Sequence, residues 1–99
     1  MQQLTIENIK AASVSENDIL RINLPLPTTP LKTEQWVSRF CTLFSLNATN
    51  AHWGADRYQV TLSNSTFSCM LFIEWLCDAI WIEPTGSNTN KSLHDYFFK

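Results

Sequence analysis

One short segment holds most of the side chains that could do chemistry in this chain. It is His52-Trp53-Gly54-Ala55-Asp56-Arg57, and it directly precedes an alternating strand pattern. An Asp–Arg pair can orient a polar ligand, an indole can stack on one, and a histidine titrates near neutrality and can act as a general base. One hypothesis is therefore a small-ligand or enzymatic site made of His52, Trp53, Asp56 and Arg57.

The same residue types also suit a structural bend, because Gly and Asp are common turn residues. In this interpretation Gly54 marks a kink or bulge, Trp53 anchors the bend in the core, and Asp56 caps the turn. Arg57 then reaches Glu74 or Glu83 across the sheet. We favour this interpretation, because the ligand hypothesis lacks a nearby nucleophile and a second cationic partner for a phosphate.

The remaining candidates for chemistry are few. His52 and His94 are predicted to be solvated, and Glu74 and Glu83 are separated by an aromatic residue, so an acid/base pair is not favoured. The three cysteines form no CxxC pair and no zinc-like spacing with histidine, so no metal or cofactor is predicted. They are Cys41 and Cys69, predicted in the core, and Cys77, predicted at an exposed turn without a group that would activate it.

The elements that must position these residues follow from periodicity. Residues 3–9 alternate weakly and predict a first strand, residues 11–18 a turn, and residues 19–26 a second strand ended by Pro25 and Pro27. Residues 28–47 change to a helical period. Thr29 or Thr33 is predicted to cap that helix, Pro30 to open it and Asn47 to end it. Its apolar stripe is Trp36, Val37, Phe40, Leu43 and Phe44.

The rest predicts an antiparallel meander and a short C-terminal helix. Alternation over residues 57–63, 67–75 and 80–83 gives three strands, with Asn64-Ser65 as the first turn. Placing Leu62 opposite Phe67, and Trp75 opposite Ile80, leaves one wholly apolar inner face. The segment after Asn90, which is the predicted cap, carries Leu93, Tyr96, Phe97 and Phe98.

The same register assigns a second group of candidates to the outer face of the sheet, where apolar and charged side chains mix. Apolar patches of this kind usually mark an interface, and aromatics, Met and Arg are the residues found there. Two coverings are open: the C-terminal segment folds over the face, or a partner protein or second copy docks on it. The candidate residues are Arg57, Met70, Phe72, Glu74, Trp81 and Glu83.

Together these elements predict one α+β domain over residues 1–99. An antiparallel β-sheet of about five strands carries one long helix on one face, with a short C-terminal helix, in the order ββαβββα. The alternative is a split β-α-β sandwich of ferredoxin type, which requires a strand within residues 47–53.

Residues 53–83 resemble a family of small bacterial proteins of unknown function. The resemblance is carried by the Trp53-Gly54-Ala55-Asp56-Arg57 kernel, the alternating strand after it, and a strand pair that closes on Trp81-Ile82-Glu83. It implies a small α+β domain and supplies no activity.

Composition narrows the function classes. Lys and Arg number 7 against 9 Asp and Glu, without a basic run, so nucleic-acid binding is disfavoured. The apolar segment 67–82 is too short for a membrane span and contains Glu74 and Asp78. Free thiols and an N-terminus without a signal pattern predict a cytoplasmic protein. The leading hypothesis is a non-enzymatic protein-interaction or self-association module that uses the outer face.

Overall fold

The computed structural model describes residues 4–85 and 93–98, which form a six-stranded antiparallel sheet and three helices. This confirms the α+β class and replaces the predicted order with αββαββββα. In chain order the elements are α1 Ile6–Ala12, β1 Ser13–Glu16, β2 Ile19–Ile22, α2 Pro30–Phe44, β3 Asn47–Trp53, β4 Arg57–Ser63, β5 Ser68–Glu74, β6 Ala79–Pro84 and α3 Leu93–Phe97.

The path of the chain explains the strand order β1-β2-β6-β5-β4-β3. After the β1–β2 hairpin, α2 carries the chain to the far edge of the sheet, and β3 to β6 return as a meander. β6 closes the sheet against β2, with Leu20 opposite Ile82 and Arg21 opposite Trp81. The strand required by the ferredoxin-type alternative exists as β3, but three strands separate it from β2, so the split β-α-β unit does not form.

The N-terminal prediction was wrong. Residues 3–9 were predicted as a strand, yet Ile6–Ala12 is helical because the Thr5 hydroxyl accepts the backbone N–H of Asn8 at 3.0 Å. Residues 11–18, predicted as a turn, contain β1. The actual turn is confined to Asn17-Asp18, and Asn17 has φ of 54°.

Helix α2 begins as predicted and ends early. The Thr29 hydroxyl accepts the backbone N–H of Lys32 at 3.1 Å, and Pro30 opens the first turn. Ser45, with φ of 55°, ends the helix by a left-handed cap. Asn47, predicted as the helix exit, is instead the first residue of β3.

The two faces of the sheet are assigned as predicted. The inner face is buried under α2, and α1 and α3 join the same core through Ile9, Leu93 and Phe97. Its strand residues are Leu20, Ile22, Tyr58, Val60, Leu62, Cys69, Leu71, Ile73, Ile80 and Ile82.

The registers of both predicted hairpins were wrong by two residues. Leu62 lies opposite Cys69, not Phe67, and Ile73 lies opposite Ile80, which Trp75 was expected to face. The faces survive because a two-residue shift preserves the alternation of side chains. β5 begins one residue later and ends one residue earlier than expected, so each turn has four residues, 64–67 and 75–78.

Hydrogen bonds explain the longer turns; those of the first turn are local, and that of the second joins residues distant in sequence. The Asn64 side chain accepts the Thr66 N–H at 2.9 Å, and the Asn64 N–H donates to the Phe67 carbonyl at 2.9 Å. In the second turn the Trp75 indole donates to the Pro27 carbonyl at 2.8 Å, which holds Trp75 outside the strand.

Candidate functional site

All six outer-face candidates lie on the sheet face opposite the helices, which we call the outer face. They meet in cross-strand pairs on three adjacent central strands: Arg57 opposite Glu74, Phe72 opposite Trp81, and Met70 opposite Glu83. The sequence predicted different neighbours, because the shifted register placed Arg57 opposite Phe72 and Glu74 opposite Trp81. The observed pairing brings the two aromatic side chains into direct contact.

The centre of the outer face is a stack of three side chains, here called the outer stack: Trp81, Phe72 and Arg57. The rings of Trp81 and Phe72 lie nearly parallel, at 13°, with centroids 5.0 Å apart. The Arg57 guanidinium carbon lies 5.0 Å from the centroid of the Phe72 ring, within cation–π range. The Trp81 indole N–H donates to Glu83 Oε2 at 2.8 Å, which fixes the ring orientation.

Phe72 is almost completely buried within the outer stack, and only 6% of this residue is exposed. Trp81 and Met70 remain half-buried, and Arg57 is exposed. The apolar centre of the outer face is thus rigid and aromatic, with its accessible parts contributed by Trp81 and Met70.

The first predicted covering, in which the C-terminal segment folds over the outer face, is wrong for the described residues. Helix α3 packs on the inner side of the sheet, where Phe97 lies 5.7 Å from Phe40 and Tyr96 stacks on Phe67 at 3.7 Å between centroids. Because β5 begins only at Ser68, Phe67 lies in the preceding turn, where it is available as a partner for Tyr96. The predicted cap Asn90 lies outside the described residues.

Charged groups of both signs surround the outer stack. Glu74 and Glu83 lie on β5 and β6, and Arg21 lies opposite Trp81 on the neighbouring strand β2. Arg21 also forms an ion pair with Glu16 at 3.9 Å, with both side chains about half exposed. The surface therefore has an apolar aromatic centre and a charged rim.

The structure brings together three of the four ligand candidates. His52, Trp53 and Arg57 line a shallow pocket of about 320 Å³ together with Gly54 and Gln59. The fourth candidate, Asp56, does not line this pocket. Its backbone carbonyl accepts the Trp75 N–H at 2.9 Å and so links the β3–β4 turn to the β5–β6 turn.

Two details of the predicted bend were wrong. Trp53 is 47% exposed and packs on Tyr58 and Trp75 at the end of the sheet, so it does not anchor a core. The register shift of β3 lies between Thr49 and His52, where Asn50 has φ of 55°. Gly54 does not have a left-handed backbone, and an added Cβ would meet the Arg57 carbonyl at an ordinary 3.6 Å.

A larger cavity was missed by sequence reasoning. It is a groove of about 690 Å³ between α2 and the edge strand β3, lined among others by Glu34, Val37, Cys41, Ala48 and Tyr58. No residue of β3 is buried, so residues 47–53 show no alternation of apolar and polar side chains that would have indicated this strand. The one feature of the sequence that could have indicated the groove is a polar stripe of α2, residues 34, 38 and 42, which lies beside its apolar stripe.

The pKa values of the thiols argue against a reactive cysteine. Burial raises the pKa of Cys69 to about 12, and burial also raises the pKa of Cys41. Cys77 is exposed as predicted, but a hydrogen bond to Glu74 and the negative charge of that carboxylate raise its pKa. A raised pKa lowers the fraction of thiolate, which is the nucleophilic form.

Comparison with known proteins gives no assignment. Neither a family model, nor a curated protein, nor a solved structure matches this chain. Within residues 4–85 and 93–98, no cluster of three or more His, Cys, Asp or Glu side chains is placed to hold a metal ion. The helices formed by these residues are all too short or too polar to cross a membrane.

Proposed function

We propose that this chain is a non-enzymatic protein-interaction domain that docks through its outer face, with a second copy of itself as the partner. The observation that carries the proposal is the outer stack. Trp81, Phe72 and Arg57 form a pre-ordered aromatic and cationic centre on the sheet face that the described helices leave open.

The composition and rigidity of this centre suit an interface. Trp and Arg are enriched among the residues that contribute most to binding, and they do so from well-packed positions near the centre of a patch. Trp81 is already held by its hydrogen bond to Glu83 and by Phe72. Binding therefore loses little side-chain entropy at this residue, which favours affinity.

The size of the outer face is sufficient for a specific interface. Strands of four to seven residues, spaced about 4.8 Å apart, give the six-stranded sheet a projected face of at most roughly 24 by 24 Å. Such a face exposes an accessible area on the order of the 800 Å² that each partner contributes to a standard interface.

The charges favour a second copy as the partner. In a two-fold symmetric dimer the same patch meets itself, so it needs groups of both signs. The outer face supplies Arg21 and Arg57 together with Glu16, Glu74 and Glu83. The net charge of the chain, −2, gives only weak repulsion between copies.

Sedimentation velocity over a wide concentration range tests this proposal. Met70→Lys is the informative variant, because it places a charge in the apolar centre, opposite Glu83, and leaves the outer stack intact. Leu31→Lys is the matched control, because Leu31 is an exposed apolar residue, 63% accessible, at the start of α2. We expect a wild-type dimer, a monomeric Met70→Lys variant and a dimeric control. A wild-type monomer at millimolar concentration contradicts self-association.

A second candidate is small-ligand binding in the shallow pocket beside Trp53. The observation that favours it is the exposed indole next to His52 and Arg57 in a 320 Å³ pocket. A thermal-shift screen of planar anionic compounds tests this candidate. A ligand-induced shift that is lost in Trp53→Ala and His52→Ala supports it, and identical responses of both variants and the wild type contradict it.

A further inference from the structure

The groove between α2 and β3 lies at the edge of the sheet, away from the outer face. Its floor is formed by the buried side chains of Val37, Cys41 and Tyr58. The wall on the helix side carries Glu34 and Ser38, one turn apart on the same face of α2, and the wall on the strand side carries Ala48. The groove is therefore apolar at its base and open along a strand edge.

Strand β3 is the last strand of the sheet on this side, so half of its backbone N–H and C=O groups point away from β4. Edge strands usually prevent further pairing with Pro, Lys or other charged residues. The sequence of β3, Asn-Ala-Thr-Asn-Ala-His-Trp, contains no Pro, Lys, Arg, Asp or Glu, and all seven residues are exposed.

The irregular part of β3 limits where another strand can pair. Asn47 to Thr49 pair regularly with β4, and the register then shifts before His52. The regular half, which includes Asn47 and Ala48, is the half that borders the groove. An added strand would therefore lie beside the groove, with alternate side chains on the face of the sheet that borders α2.

The electrostatics of the groove select the occupant. Glu34 is the single charged side chain among the described residues that line it. The field of this carboxylate reaches the floor, because Glu34 contributes, after burial, to the raised pKa of the Tyr58 hydroxyl. A partner segment with a cationic side chain near Glu34 is favoured over a neutral or acidic one.

We propose that the α2–β3 groove binds an extended segment of another protein, which adds a strand to β3, places small apolar side chains over Val37 and Cys41, and directs a lysine or arginine at Glu34. This site is separate from the outer face and does not depend on the dimer proposed above. A second copy is a poor occupant, because neither edge strand, β3 or β1, carries a lysine or arginine.

The test uses blocked seven-residue peptides of alternating valine and threonine that carry one lysine, whose position is varied. The peptides are titrated into isotope-labelled full-length Met70→Lys protein, so that docking on the outer face does not interfere. We expect amide shift changes confined to β3 and to residues 34–45, and new protection of outward-facing β3 amides against hydrogen exchange.

Two controls separate strand addition from non-specific contact. Two methylated peptides are compared, one methylated at the odd-numbered backbone nitrogens and one at the even-numbered nitrogens. Methylation of the set that faces β3 removes the backbone donors and should abolish binding, and methylation of the other set should not. Glu34→Gln should weaken the lysine peptide roughly two- to fivefold and leave its glutamine analogue unchanged, as expected for an exposed ion pair. Glu7→Gln, at an exposed acidic residue of α1 that does not line the groove, is the matched control and should change neither affinity.

Several results would overturn the proposal. One is that no peptide of the series binds at millimolar concentration. Another is that methylation of either set of alternate nitrogens leaves binding unchanged. A third is that the amide shift changes centre on β4 to β6 of the outer face. Concentration-dependent protection of β3 in the Met70→Lys protein without peptide would also overturn it, because the occupant would then be a second copy.

Discussion

The outer stack predicts a measurable coupling between Phe72 and Trp81. The two rings are nearly parallel with centroids 5.0 Å apart, and Phe72 has only 6% of its surface exposed. Aromatic pairs of this geometry contribute about 0.5–1.5 kcal/mol beyond the area they bury. Phe72→Leu, Trp81→Leu and the double variant form a cycle in which each change keeps an apolar side chain in place.

We expect each single variant to lower the free energy of unfolding by about 1–2 kcal/mol, since part of the buried surface and the ring contact are lost. The double variant should lose about 0.5–1.5 kcal/mol less than the sum of the single losses, because the ring contact can be lost only once. Urea unfolding followed by far-ultraviolet circular dichroism measures all four proteins. Additivity within about 0.3 kcal/mol would show that the rings do not interact in solution, and the reasoning for a pre-ordered outer stack would fail.

Three further predictions test local parts of the structure. Gly54→Ala should leave the free energy of unfolding unchanged or raise it by up to about 1 kcal/mol, because the backbone is not left-handed and the added Cβ fits; a loss above about 1 kcal/mol in urea unfolding would contradict this. Thr29→Ala should cost about 0.5–2 kcal/mol through the lost N-cap of α2, while Thr28→Ala, the neighbouring control, should cost less than about 0.5 kcal/mol. The raised pKa of Cys69, about 12 against 9.0 for a solvated thiol, favours the protonated folded form. The resulting contribution to the free energy of unfolding is complete below about pH 9 and is lost as the pH rises toward 12, with a slope of about 1.4 kcal/mol per pH unit. Cys69→Ala should remove this slope from free energies measured by urea unfolding, and equal slopes for both proteins would refute the prediction.

The start and the apolar stripe of the long helix were predictable, because the deciding interactions are local. Thr29 and Pro30 mark the start of α2 by hydrogen bonding and fixed backbone geometry within one turn. The assignment of Phe72 and Trp81 to the outer face was also predictable, since it needs only the two-residue period of a strand.

The registers were not predictable from alternation, because any even shift leaves the faces unchanged. The turns decide the register, and the second turn depends on contacts distant in sequence. Trp75 leaves β5 to donate to Pro27 and Asp56, which no local pattern around residue 75 reveals. The outer stack follows from this register, so the sequence placed its members on one face without predicting their contact.

The N-terminal helix and the groove escaped prediction for different reasons. Over residues 3–9 a weak alternation competed with the Thr5 cap, and the cap prevailed because Ile9 gains a fully buried position in the core. The groove depends on the gap between α2 and an edge strand without buried residues, so no periodic burial signal accompanied β3.

Docking through the outer face is tested most directly by isotope-filtered nuclear Overhauser measurements on a mixture of labelled and unlabelled protein at dimer-forming concentration. The proposal predicts intermolecular contacts from the Met70 methyl group and the Trp81 indole to the other copy, and their loss in Met70→Lys. Intermolecular contacts confined to α2 or to β3, with none from Met70 or Trp81, would contradict it.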